Sequence, residues 1–177
     1  MSGTVCTVYT IGHSTRAIED FIALLKTYGI EMVVDVRTIA GSRYNPQYNE
    51  ETLKNSLVEN NISYVRMTGL GGLRHTTKKS MNTAWKNASF RGYADYMQTL
   101  EFAESIKELI NFAKKKQIVI MCAEAVPWRC HRSLIGDALV HWKIKVLDII
   151  TDKSSILHKM TPFARVKGHT IVYPAVK

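Results

Sequence analysis

The sequence has no apolar run approaching the roughly 20 residues that a membrane-spanning helix needs, so neither a membrane span nor a membrane partner is expected. Its first residues, MSGTVCTVYT, lack the basic segment and the long apolar stretch of a secretory signal. A cytoplasmic protein is therefore expected. Three cysteines are too few for a disulfide framework, and in a reducing compartment cysteines serve catalysis, metal binding or packing.

Internal repeats, low-complexity tracts and linkers are also missing. The 177 residues are therefore expected to form one domain, 1–177, that is large enough for a hydrophobic core. Acidic residues are scarce, because 15 Asp and Glu stand against 24 Lys and Arg, a net charge of +9. Such an excess favours anionic partners such as nucleic acids, nucleotides and phosphorylated metabolites, although a basic solvated surface has the same composition.

Short apolar runs predict β-strands. They lie at 4–12, 31–36, 62–67, 117–122 and 145–150, with helical spacing between them at 18–28, 49–59, 93–115 (with a break near 99–101) and 134–142. Thr15 is predicted to cap the first helix and Gly29 to end it. This alternation favours a three-layer α/β domain of the Rossmann or flavodoxin type, a mostly parallel sheet with helices on both faces. A last run, HTIVYP at 169–174, is predicted to add an edge strand.

Polar side chains gather where the predicted strands end. The segments are GHST at 12–15, DVR at 35–37, LGGLR at 70–74 and CAE at 122–124. Because ligands of open α/β sheets bind at the carboxyl ends of the strands, these segments predict a functional site at one edge of the sheet. Each also has a structural interpretation. Asp35 could pair with Arg37 or Arg43, His13 could cap a turn, and Gly12, Gly71 and Gly72 could serve turns that need positive φ.

The segment CAEAVPWRCHRSL, 122–134, spans a predicted strand end and the start of the next helix. The positive end of that helix, with Arg129, His131 and Arg132, would lower the pKa of Cys130. Four interpretations stay open: a reactive thiol at an anion site, an anion cradle with structural cysteines, a metal site, or a plain helix start. Structural zinc usually needs a fourth ligand beside Cys122, Cys130 and His131, so we predict no metal and assign no cofactor.

Two carboxylates offer a different chemistry. Asp35 and Glu124 follow strands that could be neighbours, and such a pair can supply a nucleophile and an acid or base. This layout would suit cleavage of an N-glycosidic bond, since carboxylates stabilise an oxocarbenium-like centre. Arg37, Arg43 and Arg132 would then hold a phosphate.

Taken together, these segments resemble the family named domain of unknown function 488. The matching motifs are TIGHSTR (10–16), DVR (35–37), SRYNP (42–46), LGGLR (70–74), FRGYADYM (90–97) and CAEAVPWRCHRSLIGDAL (122–139). The resemblance implies a compact α/β core at about 5–150, with 151–177 as a C-terminal extension. It implies no established activity, although labels on some members point to DNA repair. The usual proline after DVR is displaced here, in DVRTIAGSR.

The leading hypothesis is an enzyme, with hydrolase or glycosidic-bond transferase chemistry, acting on a phosphorylated small molecule or nucleotide in a basic pocket. The candidate catalytic residues are His13, Asp35, Cys122 and Glu124, and the candidate binding residues are Ser14, Arg37, Arg43, Gly71, Gly72, Arg74, Tyr93, Cys130, His131 and Arg132. The alternative is a DNA-repair-associated nucleic-acid-binding module without catalysis. Its base-stacking candidates, which could equally pack loops, are Tyr44, Tyr48, Trp85, Phe90 and Tyr93.

Overall fold

The computed structural model describes residues 5–176, so Thr4, at the start of the first predicted strand, lies outside the described residues. The main sheet is formed by β1 (Thr7–Gly12), β2 (Met32–Asp35), β3 (Ser63–Arg66), β4 (Ile118–Cys122), β5 (Lys145–Thr151) and β6 (Ser154–Leu157). Their order across the sheet is β3-β2-β4-β1-β5-β6. All neighbouring pairs from β3 to β5 are parallel, and β6 runs antiparallel to β5.

Five α-helices connect or follow these strands within the described residues. They are α1 (Ile18–Thr27), α2 (Glu50–Glu59), α3 (Ala88–Tyr96), α4 (Leu100–Lys115) and α5 (Arg132–His141), with one-turn 3-10 helices at Pro46–Tyr48, Thr68–Leu70 and Pro127–Arg129. The crossovers through α1 and α2 run one way along the sheet, and those through α3, α4 and α5 run the other way. Right-handed crossovers therefore place the two groups on opposite faces.

The hydrophobic core has a part on each face of the sheet. Val119 and Met121 of β4 pack with the buried residues of α1 and α2, whereas Ile118 and Ile120 pack with those of α4 and α5. This separation follows from the alternation of side chains along a strand. An α/β architecture with a mostly parallel sheet and helices on both faces is confirmed.

The edge of the sheet differs from the prediction. Residues Thr170–Val172 form β8, so a strand within 169–174 is confirmed, but it pairs with β7 (Arg165–Lys167) in a separate two-stranded ribbon, and its predicted place at the edge of the main sheet is wrong. β6 occupies the edge instead, and its four residues are all exposed. The strand order also matches neither the 3-2-1-4-5-6 order of Rossmann sheets nor the 2-1-3-4-5 order of flavodoxin.

Helix ends follow local capping chemistry, with two departures from the prediction. Thr15 does not cap α1, whose N-cap is Ala17 without a side-chain hydrogen bond. The break predicted near 99–101 is confirmed, but the first of the two helices begins at Ala88 rather than at residue 93; the side chains of Asn87 and Thr99 cap the two helices. Gly29 ends α1 as expected, with a φ of 62° that glycine adopts easily. None of the helices within residues 5–176 combines the length and the apolar character needed to cross a lipid bilayer.

Candidate active site

A cleft opens at the carboxyl end of β4. The loops after β1 and β2 lead to helices on one face of the sheet, whereas the loop after β4 leads to α5 on the other face. Loops that diverge in this way leave a crevice between strands, which is the usual ligand site of open α/β sheets. Two adjoining cavities of about 390 and 370 Å³ lie here, and both are lined by Arg37, Ile39, Ala123 and Glu124. We call the first the thiol cleft and the second the outer cavity.

The sheet separates the predicted catalytic residues into two groups. Asp35 of β2 is the register partner of Met121 of β4, so these two side chains share a face. Cys122, the next residue, therefore points to the opposite face. Asp35 lies on the α1 and α2 side, and Cys122 lies on the α4 and α5 side. Asp35 lines neither cavity, so it does not form a carboxylate pair with Glu124 in the cleft.

Asp35 is fully buried, and donors occupy both of its carboxylate oxygens. Oδ1 accepts hydrogen bonds from the backbone N–H of Arg37 at 3.1 Å and from its Nε at 2.9 Å. Oδ2 accepts from Arg37 Nη2 at 2.7 Å and from the Tyr64 hydroxyl at 2.6 Å. This geometry matches the structural interpretation of Asp35. The carboxylate fixes Arg37 at the junction of the two cavities.

His13 is held as a neutral ring. Its Nε2 lies 3.4 Å from Arg37 Nη1, which can only donate, and its Nδ1 therefore donates to the Ser14 carbonyl at 2.8 Å. The ring stacks on Tyr48 with centroids 4.0 Å apart. Burial lowers the pKa of His13 to about 4. His13 therefore supports Arg37 rather than carrying charge near neutral pH.

Cys122 and Cys130 form a pair of free thiols in the wall of the thiol cleft. Cys122 ends β4 and Cys130 lies two residues before the start of α5, and their sulfur atoms are 2.7 Å apart. Each residue is 5% exposed and lines the cleft. The strand end and the helix start thus bring together two cysteines that are eight residues apart in sequence.

The buried guanidinium of Arg132 lies behind the thiol pair. Arg132 is 1% exposed, Nη1 donates to Thr10 Oγ1 at 3.1 Å, and Nη2 donates to the Glu124 carbonyl. Its backbone N–H donates to the Cys130 sulfur at 3.5 Å. Among residues 5–176, Arg132 forms no ion pair with a carboxylate. Because a buried charge requires compensation, a thiolate is the natural counter-ion here.

These surroundings shift the pKa values of the two thiols in opposite directions. A hydrogen bond from Cys122 lowers the pKa of Cys130 to about 6, with a further contribution from Arg132 and against the effect of burial. The same bond, together with burial, raises the pKa of Cys122. Near neutral pH, Cys130 is therefore a thiolate and Cys122 a thiol.

His131 lies beside the two cysteines and is the third member of this cluster. Its Nε2 donates to the Val36 carbonyl at 3.0 Å, so the unprotonated Nδ1 faces the Cys130 sulfur at 3.6 Å. Burial lowers the pKa of His131, which keeps the ring neutral. Gly72 packs directly against this ring, since a Cβ there would lie 2.7 Å from Nδ1. Close approach, and not a positive φ, thus requires glycine at this position.

A metal fits this group poorly. Cys122, Cys130 and His131 offer three donor atoms within 4.8 Å of one another. Two thiolates on one tetrahedral zinc ion would be about 3.8 Å apart, whereas these sulfur atoms are 2.7 Å apart. The guanidinium of Arg132 would also repel a cation. The arrangement fits a pair of interacting thiols better than a metal centre.

The other predicted residues have varied positions. Glu124 is exposed at the cleft, where Oε1 accepts from the Val126 N–H at 3.0 Å. Ser14 lines the outer cavity, and Arg43 is exposed and lines neither cavity. The guanidinium of Arg74 lies 3.6 Å from the centroid of the Tyr96 ring, and Arg74 lines neither cavity.

Two more predicted residues support the cleft from the interior. Tyr93 is fully buried, and its hydroxyl donates to the Leu70 carbonyl at 2.9 Å. Its ring is therefore part of the core and is inaccessible to a ligand. Gly71 allows close packing, since a Cβ there would lie 2.7 Å from Thr38 Oγ1.

The sequence analysis missed two residues that hold Arg132. Thr10 Oγ1, which accepts from Arg132, donates in turn to Asp148 Oδ1. The two lie side by side on β1 and β5, as register partners. A polar residue interrupting each of two apolar strands, TVYTIG and KVLDII, was the available signal, because buried polar groups are hydrogen-bonded.

The family model described as domain of unknown function DUF488 matches residues 17–139. The chain belongs to this family. Searches of the curated proteins and of the solved structures find no significant match. The DUF488 match includes the thiol pair and Arg132, whereas His13, Ser14 and Asp148 lie outside it.

The hydrogen bond between the two thiols in this DUF488 protein can be tested with paired substitutions. We expect Cys122→Ala to raise the pH midpoint of Cys130 alkylation by about one unit, because the variant loses the donor that stabilises the thiolate. Cys122→Ser keeps a donor and should stay within a few tenths of a unit of wild type. The rate of iodoacetamide labelling of Cys130, followed by peptide mass mapping from pH 4 to 10, measures both. Equal shifts in the two variants would contradict the hydrogen-bond explanation.

Proposed function

We propose that the protein is an enzyme in which the Cys130 thiolate attacks a small anionic substrate held in the thiol cleft. The observation that carries this proposal is the position of Cys130, which lines the cleft, in front of the Arg132 guanidinium, which has no carboxylate partner within residues 5–176. A thiolate is the nucleophilic form of cysteine, and a cationic setting maintains it near neutral pH.

Cationic groups at the cleft favour an anionic substrate. Arg129 is exposed, lines the cleft and forms no ion pair within residues 5–176. Arg37 contributes its guanidinium at the junction with the outer cavity, although Asp35 offsets its charge. A phosphorylated small molecule or a nucleotide belongs to this substrate class, and a volume of about 390 Å³ is within the usual range of small-molecule pockets.

Aromatic packing argues against nucleic-acid binding without catalysis. Tyr48 and Tyr93 are fully buried, and Trp85 stacks on Phe90 with centroids 4.9 Å apart. Of the five aromatic residues suggested for base stacking, Tyr44 is the one left highly exposed. Internal packing accounts for Tyr48, Tyr93 and Trp85 better than a stacking surface does, and Phe90 lines the thiol cleft.

Two alkylating reagents of similar shape and different charge test the proposal. We expect the rate ratio of iodoacetate to iodoacetamide at Cys130 to exceed that of free glutathione by roughly tenfold, because a cationic cleft concentrates anions. High salt and Arg129→Gln should both reduce this excess. Inorganic phosphate or AMP should protect Cys130, whereas uncharged adenosine should not.

The results separate the two parts of the proposal. A Cys130 that reacts no faster than free glutathione at pH 7 with either reagent would overturn the nucleophile assignment. A reactive Cys130 with no preference for iodoacetate and no protection by phosphate or AMP would overturn the anionic substrate.

A further inference from the structure

We infer that Cys122 and Cys130 are a two-electron redox pair that reduces an anionic low-molecular-weight disulfide, with Cys130 as the attacking thiol and Cys122 as the resolving thiol. This inference rests on the proposed function, because it needs Cys130 to be the nucleophile. It adds a second reacting group and a substrate class to the same site.

The contact between the two sulfur atoms is the first support. At 2.7 Å, they need to move by less than an ångström to reach the disulfide bond length of about 2.05 Å. Cys122 is held by β4 and Cys130 by the turn that starts α5. When Cys130 forms a mixed disulfide, the Cys122 thiol is therefore already in contact with its sulfur.

The asymmetry of the pair is the second support. The backbone N–H of Arg132 donates to the Cys130 sulfur at 3.5 Å, and no corresponding donor to Cys122 is found within residues 5–176 apart from Cys130 itself. Because Cys130 already accepts this N–H, Cys122 is the thiol placed to donate its proton across the 2.7 Å contact. Thiol–disulfide exchange needs one thiolate to attack first and a second thiol to follow. The geometry thus assigns the first attack to Cys130.

The reaction balances without a further reactant. The Cys130 thiolate attacks one sulfur of a disulfide R–S–S–R, which breaks the S–S bond, forms Cys130–S–S–R and releases R–S⁻. Cys122 then attacks the Cys130 sulfur, and the second R–S⁻ leaves with the proton that Cys122 gives up. The substrate gains two electrons and the protein loses two as the Cys122–Cys130 disulfide. An external dithiol restores the reduced pair by the reverse exchange.

The charge at the cleft selects among disulfides. Arg129 stands at the rim and has no ion pair within residues 5–176, so carboxylate-bearing disulfides should be attracted and ammonium-bearing ones repelled. Dithiodipropionate and cystamine are nearly the same size and carry opposite charges. The leaving thiols differ in pKa, which changes the intrinsic rate, so each rate is divided by the rate of the same disulfide with a free model thiol. The ratio of the normalised rates then reports the electrostatic preference with little contribution from shape.

The test uses the full chain reduced with dithiothreitol and freed of reductant. With dithiodipropionate, we expect wild type to form the Cys122–Cys130 disulfide without a lasting adduct, and Cys122→Ser to keep one adduct on Cys130. Cys130→Ser should react at least tenfold more slowly than wild type. Cys6→Ser, which changes the third cysteine, should behave as wild type. Mass spectrometry of the intact chain and of its peptides identifies each product.

Several results would overturn the inference. A lasting adduct on Cys130 in wild type would show that Cys122 does not resolve it, yet the nucleophile proposal would stand. An undiminished rate in Cys130→Ser would reverse the assigned order. Cystamine reacting as fast as dithiodipropionate, after each rate is divided by its rate with a free model thiol, would remove the anionic substrate class. If iodoacetamide labels Cys130 readily but no added disulfide oxidises the two cysteines, the redox pair is refuted and the nucleophile proposal stands.

Discussion

Replacing Arg132 with methionine is expected to raise the pH midpoint of Cys130 alkylation from about 6 by one to three units, the usual size of a shift caused by a nearby opposite charge. The thiolate is the charged form that the guanidinium stabilises. Removing the cation therefore favours the thiol, and the pKa rises. At pH 7 at least about half of the Cys130 side chains would then be protonated and unreactive.

The complete pH profile is the appropriate measurement for this variant. A thiolate of higher pKa is intrinsically more nucleophilic, which partly offsets its lower population at a single pH. Arg132→Lys retains a positive charge and should shift the midpoint less than Arg132→Met. Arg43→Met removes an exposed arginine away from both cavities and should leave the midpoint unchanged.

A second substitution tests the same explanation with less disturbance to folding. Thr10→Val removes the hydroxyl that accepts from Arg132 Nη1 and preserves the shape of the side chain. We expect Thr10→Val to raise the pH midpoint of Cys130 alkylation by less than Arg132→Met does. Thr10→Ser keeps a hydroxyl and should leave the midpoint close to that of wild type. Unchanged midpoints in folded Arg132→Met and in Thr10→Val would exclude Arg132 as the source of the thiolate.

The strands were predictable because buried parallel strands are nearly continuous apolar runs. The predicted runs at 31–36 and 117–122 enclose β2 (Met32–Asp35) and β4 (Ile118–Cys122). β6 (Ser154–Leu157) was missed because its exposed residues carry no burial pattern. Its pairing with β5 depends on the short turn between them and on tertiary contacts, and neither leaves a periodic signal.

The location of the site was predictable from the sequence, but which of its candidate residues lie together was not. Cys130 at a helix start with arginines nearby predicted a thiol of lowered pKa, and the direction agrees, but the largest cause is the hydrogen bond from Cys122, which the sequence did not predict. The separation of Asp35 from Cys122 depends on the register that pairs Asp35 with Met121, and register between distant strands cannot be read from the sequence. The Tyr64 hydroxyl that donates a hydrogen bond to the Asp35 carboxylate comes from another strand. Only three-dimensional packing brings it there.

Replacing Asp35 with asparagine is expected to cost about 3–5 kcal/mol of unfolding free energy, the typical penalty for breaking a buried ion pair from one side. Asp35 is 0% exposed and Arg37 is 6% exposed, with Nη2 and Oδ2 2.7 Å apart. Burial by itself would lower the pKa of Arg37, but the hydrogen bond and the charge of Asp35 raise it. Without that carboxylate, a buried guanidinium loses its counter-ion.

Urea unfolding at pH 7 measures this cost, and the chain provides its own control in the pair of Glu50 and Arg66. Their atoms are 3.0 Å apart, but the side chains are 38% and 26% exposed. Glu50→Gln should cost less than about 1 kcal/mol, since water screens such pairs. If Asp35→Asn and Glu50→Gln lost the same small amount, Asp35 would not be the structural partner of Arg37. The carboxylate would then be free for the chemical role that its burial now argues against.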